Sequence, residues 1–266
     1  MKCERIPLGA QGAYLDTYFL ADSPELKAGA CRPAVVVCPG GGYAYTSDRE
    51  AEPIALALCA RGFHACVLRY PCAPARFPAA LRALAEAVAW VRAGAAENHV
   101  DPRQISVCGF SAGGHLAGSL GVFWNAPFLA AETGLAPQDM RPDKMVLCYP
   151  VITGGEFAHK GSFDNLLGAD ADAARRAEVS LEQHVTANTP PAFLWHTWTD
   201  RAALVENTML FAMALRRAGV PFESHIYSVG GHGLSLANEL TENTAGAGVQ
   251  AECTGWVDLA AGWLRR

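Results

Sequence analysis

Val107-Cys108-Gly109-Phe110-Ser111-Ala112-Gly113-Gly114-His115 reads as a strand that breaks into a Gly-x-Ser-x-Gly turn and then opens a helix. The glycines let the backbone turn sharply, which lifts Ser111 out of the ladder with its hydroxyl exposed and its backbone strained. A nucleophilic serine needs that isolation, because an ordinary hydroxyl attacks only when it stands within reach of a base. Upstream, Ile105-Ser106-Val107-Cys108 is apolar and β-branched, as suits a buried strand entering the turn. Downstream, the small residues Ala112, Gly113, Gly114 and Ala117 permit a helix to pack closely on a sheet.

A second strand, Ala34-Val35-Val36-Val37-Cys38, ends in Pro39-Gly40-Gly41-Gly42-Tyr43. A triple glycine directly after a strand is a loop that exposes backbone N–H groups. In a hydrolase, Gly41 and Gly42 would supply one half of an oxyanion hole and the N–H of Ala112 the other. No Gly-Lys-Ser/Thr follows these glycines, which argues against a phosphate cradle. The base should be a histidine on a late loop, and an acid should lie between it and Ser111 in chain order. His232, in Gly230-Gly231-His232-Gly233, follows the strand-like run 223–229. Asp200 stands just past the apolar run 192–198. Either could be a plain turn or surface residue, but their order and placement point to a triad of Ser111, Asp200 and His232.

Strands and helices alternate along the chain, which predicts a mostly parallel sheet wrapped by helices. The run 14–20 alternates and reads as an early strand, followed by a polar loop over 23–32. Ser47-Asp48-Arg49-Glu50 has capping-box spacing, yet Pro53 favours a helix starting nearer Glu52 and stopping at Gly62. A strand over 64–70 comes next. Leu81, Leu84, Val88 and Val91 repeat at three and four residues and mark a helix facing the core. Asp101-Pro102 turns the chain into the elbow strand, and a later helix ends at Arg216-Arg217 before Gly219 and Pro221. The long stretch 153–191 reads as a small cap with short helices near 163–167 and 171–178, walling the pocket. A surface excursion with no substrate contact is the plainer alternative.

At 266 residues and 51% hydrophobic content, the chain can bury one large core and is expected to be one domain over 1–266. A net charge of −5 with no basic cluster argues against nucleic acid as a partner. No apolar run approaches the roughly 18 residues a membrane span requires, and no signal peptide is visible. The nine cysteines are scattered, several inside apolar strands, which suits the cytoplasm better than a disulfide framework. Without Cys-x-x-Cys or metal-ligand histidine spacing, no metal site is expected. His115, one turn beyond Ser111, reads as a structural hydrogen bonder.

The chain resembles α/β-hydrolases of the esterase and lipase group, over essentially the whole length of such a domain. It is most similar to the carbohydrate acetyl esterase and feruloyl esterase branch, some members of which carry xylanase-like or sugar-hydrolase names. The resemblance rests on Pro39-Gly40-Gly41-Gly42-Tyr43, Arg49-Glu50, Gly109 through Ala117, Asn188-Thr189-Pro190-Pro191 and Gly231-His232-Gly233. It implies Ser111 as nucleophile, His232 as base and Asp200 as orienting acid. The implied fold is a mostly parallel central sheet with helices on both faces. Relatives commonly carry Val-Pro shortly after the acid, where Ala203-Leu204 stand here, and Arg201 could compete for the Asp200 carboxylate. Glu156 is the alternative acid.

The implied reaction is hydrolysis of short acyl esters, acetyl foremost, of sugars or oligosaccharides, without a cofactor. Tyr43 and Phe110 are the candidate substrate contacts, and Trp124 and Trp198 are further aromatics that could floor a sugar site. Small-molecule or oligosaccharide esters are the expected partners, and a homo-oligomer is left open. Other readings are a general carboxylesterase or lipase, an arylformamidase-like or peptidase-like amide hydrolase, and an inactive hydrolase used for binding.

Overall fold

The computed structural model describes residues 1–9 and 12–266, and the apolar runs resolve there into eight strands of one sheet. In chain order these are β1 (Lys2–Pro7), β2 (Tyr14–Phe19), β3 (Arg32–Cys38), β4 (His64–Arg69), β5 (Val100–Phe110), β6 (Met145–Cys148), β7 (Ala192–Thr197) and β8 (Phe222–Tyr227). The spatial order is β1-β2-β4-β3-β5-β6-β7-β8. β1, β2 and β4 pair antiparallel, and every neighbour from β4 to β8 is parallel.

Parallel strands buried on both faces read as largely apolar runs, and β6 and the inner stretches 34–38 of β3 and 105–110 of β5 do. The helices are α1 (Glu52–Cys59), α2 (Ala79–Ala93), α3 (Ala112–Phe123), α4 (Pro127–Thr133), α5 (Pro137–Met140), α6 (Lys160–Leu167), α7 (Ala173–Ala177), α8 (Glu206–Arg217) and α9 (Trp256–Leu264). One face of the sheet packs on α2, α3 and α8, and the Leu81, Leu84, Val88 and Val91 stripe of α2 is buried there as its spacing predicts. The other face packs on α1 and α9, through Ile54 and Leu58 on one helix and Trp256, Ala260 and Leu264 on the other.

One edge strand was not anticipated, and two local readings are revised. β1 has no apolar alternation because it is an edge strand with most of its residues exposed. Residues 48–50 form a 3-10 turn with no capping box, since the Glu50 carboxylate turns inward instead of back to Ser47. Asp101-Pro102 lies inside β5, where the pairing with β3 jumps from Arg32↔Val100 to Ala34↔Ile105. The segment 153–191 holds α6, α7 and a 3-10 turn at Leu181–Gln183, close to the expected helices. It lies against α3, with Leu181 packed over Gly118 and the Val179 carbonyl 2.8 Å from His115 Nε2.

β5 sits centrally between β3 and β6, so its C-terminal end opens where two parallel ladders finish together. A side chain on Gly113 would run into the carbonyls of Cys38 and Pro39, because α3 docks directly on the end of β3. Gly113→Ala should therefore destabilise the fold by about 1–3 kcal/mol or more. Gly262, exposed on α9 with open space beside it, should gain about 0.5–1 kcal/mol as alanine. Urea unfolding of the two variants checks both signs.

Candidate active site

Ser111 stands between β5 and α3 with φ 53° and ψ −119°, a conformation that costs a non-glycine residue about 1–3 kcal/mol. The surroundings hold it there. Its N–H donates to the Cys148 carbonyl at 3.0 Å, and its own carbonyl accepts from Val151 and His115. Gly109 must lack a side chain because the Gly113 carbonyl occupies that space. The result is a hydroxyl at the C-terminal end of the central strand, with Oγ 2.7 Å from His232 Nε2.

The loop after β8 delivers that imidazole, with Gly230 and Gly233 at φ 116° and 71°. His232 Nδ1 lies 2.6 Å from Asp200 Oδ2. Since a carboxylate only accepts, Nδ1 carries the proton and Nε2 is free to accept from Ser111. The second carboxylate oxygen accepts from the N–H groups of Ala202 and Ala203 at 2.8 and 3.1 Å. Ala203 thus closes the acid loop despite replacing the valine expected there. Arg201 is exposed, and Glu156 is exposed and bonds to no histidine among the described residues.

A second histidine, His196 at the end of β7, was not anticipated. Its Nε2 faces the Ala203 carbonyl at 2.8 Å and Asp200 Oδ2 at 3.3 Å, and its Nδ1 lies 2.8 Å from the Thr208 hydroxyl. Two acceptors on one side require the proton on Nε2, so His196 is another donor to the acid. Burial pushes the Asp200 carboxyl up, but the bonds from His196 and His232 outweigh it and hold the group well below the usual carboxylate range.

The glycine loop after β3 lies against the serine: a side chain on Gly40 would come within 3.0 Å of Ser111 Cβ. Gly41 has φ 123°, where a Cβ would strike the Tyr45 carbonyl, and Gly42 has φ 63°. The N–H groups of Gly41, Gly42 and Ala112 make no hydrogen bond among the described residues, while the Gly41 and Gly42 carbonyls are engaged by Ala44 and Asn165. These three N–H groups are unspent among the described residues.

Beneath the loop lies a buried carboxyl. Glu50 accepts from Gly40 N–H at 2.8 Å and from the Tyr149 hydroxyl at 2.6 Å, and that hydroxyl accepts from Ser235 N–H at 2.9 Å. The Tyr149 ring stands edge-on to His232 at 5.2 Å. Arg49 secures the same region, with Nε donating to the Thr241 carbonyl and its own carbonyl accepting from Ser235 Oγ. Burial pushes the Glu50 carboxyl up against the pull of its two donors. The Arg49-Glu50 pair was legible only as a mark of resemblance, because no spacing rule says that a loop acid turns inward.

Tyr43 and Phe110 are not substrate contacts. Phe110 is fully buried between Tyr149 and Trp256, because the residue before Ser111 points through the opposite face of the pleat. Tyr43 is 3% exposed. Its hydroxyl donates to His115 Nδ1 at 2.8 Å, while His115 Nε2 donates to Val179. Burial pulls the His115 imidazole down to about 4, so it serves as a neutral strut. Trp124 is buried and donates to the Asn188 carbonyl. Two exposed aromatics flank this region: Tyr45, whose ring edge lies beside Gly41, and Trp198, two residues before the acid, at 64% and 61%.

The segment 153–191 also reaches the site. Asn165 donates to the Gly42 carbonyl at 2.9 Å, and His159 lies within charge range of His232 and Asp200. Among the described residues there is no cluster of side chains able to hold a metal ion.

Residues 21–215 match the family model described as BD-FAE. The chain is 37% identical over 217 residues to endo-1,4-beta-xylanase B of Butyrivibrio fibrisolvens, covering 78% of this chain and 33% of that protein. It is 29% identical over 229 residues to the acetylxylan esterase of Xylanibacter ruminicola, covering 82% and 43%. This chain thus spans only about a third to under half the length of these curated relatives. A solved structure of an acetyl ester-xyloside bifunctional hydrolase from Caldicellulosiruptor lactoaceticus superposes with a TM-score of 0.84 at 36% identity, covering 98% of this chain and 95% of that one.

A depressed native pKa gives Asp200 a stabilising role that is full above its unfolded value of about 3.9 and is lost as pH falls through the native one. Asp200→Asn should therefore lower the melting temperature most above about pH 5, and the gap to the native protein should begin to narrow as pH falls below about 4. Thermal melts across that range check it, and a constant gap would contradict the assignment.

Proposed function

The chain belongs to the BD-FAE family, and from that premise we propose that it is a serine esterase removing short acyl groups, acetyl foremost, from sugars or oligosaccharides. The observation that carries this reading is the pair of short bonds, Ser111 Oγ to His232 Nε2 at 2.7 Å and His232 Nδ1 to Asp200 Oδ2 at 2.6 Å, on a serine held at positive φ.

In the proposed reaction Ser111 Oγ attacks the ester carbonyl while His232 Nε2 takes its proton. Asp200 holds the imidazole in the required tautomer and offsets its positive charge. The developing oxyanion is received by the N–H of Ala112 and of Gly41 or Gly42, at about 3 kcal/mol per donor. His232 returns the proton to the departing alcohol. Water then attacks the acyl-serine with His232 again as base, releasing the acid and restoring Ser111. These steps balance without a cofactor.

The acetyl preference and the sugar alcohol are supported by the acetylxylan esterase and acetyl ester-xyloside hydrolase among the relatives. Exposed Tyr45 beside Gly41 offers an apolar ring face at the mouth. All nine cysteines are unpaired, which supports a reducing compartment such as the cytoplasm. No helix is long and apolar enough to cross a membrane among the described residues.

Ser111→Ala should cut hydrolysis of p-nitrophenyl acetate by at least about 10⁴-fold and abolish labelling by a fluorophosphonate probe, with little change in melting temperature. Retained labelling would overturn Ser111 as nucleophile. Acetylated xylo-oligosaccharides should be better substrates than feruloyl esters or longer acyl esters. A preference for N-formyl amides would instead favour an amide hydrolase.

A further inference from the structure

The segment 153–191 brings to the site one ring that this mechanism does not use. His159 is the N-cap of α6, where its Nδ1 accepts from Ser162 N–H at 3.2 Å and meets the Ser162 hydroxyl at 2.8 Å. A backbone N–H only donates, so Nδ1 is an acceptor and the single proton of the neutral ring stands on Nε2. Nε2 has no hydrogen-bond partner among the described residues, and the side chain is half-buried. It is an unspent donor.

Its place is set by two sides of the catalytic centre. The Ser162 hydroxyl that touches it lies 3.8 Å from where a side chain on Gly42 would begin, and Asn165 of the same helix holds the Gly42 carbonyl at 2.9 Å. α6 is thereby fastened to the oxyanion loop, with His159 at its near end. On the other side, the His232 and Asp200 charges both reach the ring.

The chemistry of the step says what meets this donor. The carbonyl oxygen of the ester turns toward the loop N–H groups, and the departing alcohol oxygen must face His232, which protonates it. A donor at the near end of the helix fastened to the glycine loop, and within electrostatic reach of His232, is placed to meet the alcohol part and needs an acceptor there. Simple alkyl and aryl alcohols carry no second oxygen, whereas polyols and sugars carry hydroxyl and ring oxygens.

We propose that His159 is a specificity residue that donates its Nε2–H to a hydroxyl or ring oxygen of a polyol or sugar leaving group. This deepens the esterase reading above and rests on it. The donor works by binding the alcohol and takes no proton, so it should favour sugar esters over esters of plain alcohols at an equal acyl group.

His159→Asn tests this, because asparagine still caps α6 by accepting from Ser162 N–H and lacks a donor at the Nε2 position. His159→Ser serves as a second capped variant, and the melting temperature reports the cap. The readout is the ratio of kcat/KM on an acetylated xyloside to that on phenyl acetate. We expect this ratio to fall about three- to tenfold, the worth of one neutral hydrogen bond, mainly through KM. An unchanged ratio in both variants, whether the two rates fall together or not at all, overturns the role of His159 and leaves the esterase standing. If the native protein cleaves phenyl acetate but no acetylated sugar, the sugar reading and this role fall together. If it cleaves neither and Ser111 resists the fluorophosphonate, the esterase reading itself has failed.

Discussion

Everything at the site depends on a backbone held where L-residues rarely sit: Ser111 at φ 53° between the central strand and the helix that follows. That turn exists only because three pieces of main chain meet without side chains between them. The Gly113 carbonyl fills the space beside Gly109, and the Cys38 and Pro39 carbonyls fill the space beside Gly113. The close approach that permits the elbow also brings the end of β3 to the serine. The glycine loop and the hydroxyl are thus neighbours by one steric cause.

Two buried carboxyls support this arrangement in opposite ways. Asp200 is surrounded by donors, namely His232, His196 and two backbone N–H groups, and stays ionised. Glu50 has two donors and a strong penalty of burial, and its value moves up. Its use is geometric: one oxygen holds Gly40 at the base of the glycine loop, the other holds Tyr149, and Tyr149 in turn holds Ser235, three residues beyond His232. Loops after β3, β6 and β8 are joined through one carboxyl. A buried acid left without these partners would cost far more than the bonds return.

The segment 153–191 is joined to the core from below and to the site from above. His115 links Val179 to Tyr43, and Asn165 links α6 to Gly42. Side chains at its near end are therefore placed with the accuracy of the sheet and not with the freedom of a surface loop.

The alternation of apolar runs and amphipathic helices determined, without coordinates, a largely parallel sheet wrapped on two faces, because 3.6- and 2-residue periods are properties of the chain alone. The strand-turn-helix around Ser111, the glycine loop after β3 and the order of Asp200 and His232 were legible for the same local reason. Tertiary structure alone decided which side chains face the cleft. Phe110 and Tyr43 stand beside site residues in the chain yet point into opposite cores, while Tyr45 and His159 come to the rim through loop and cap geometry. His196 and Glu50 became partners of the site only because packing carried them within hydrogen-bond reach of groups 4 and 10 residues away in the chain. A sequence specifies the period of a side chain along its own element, and the direction it finally takes is set by the elements packed against it.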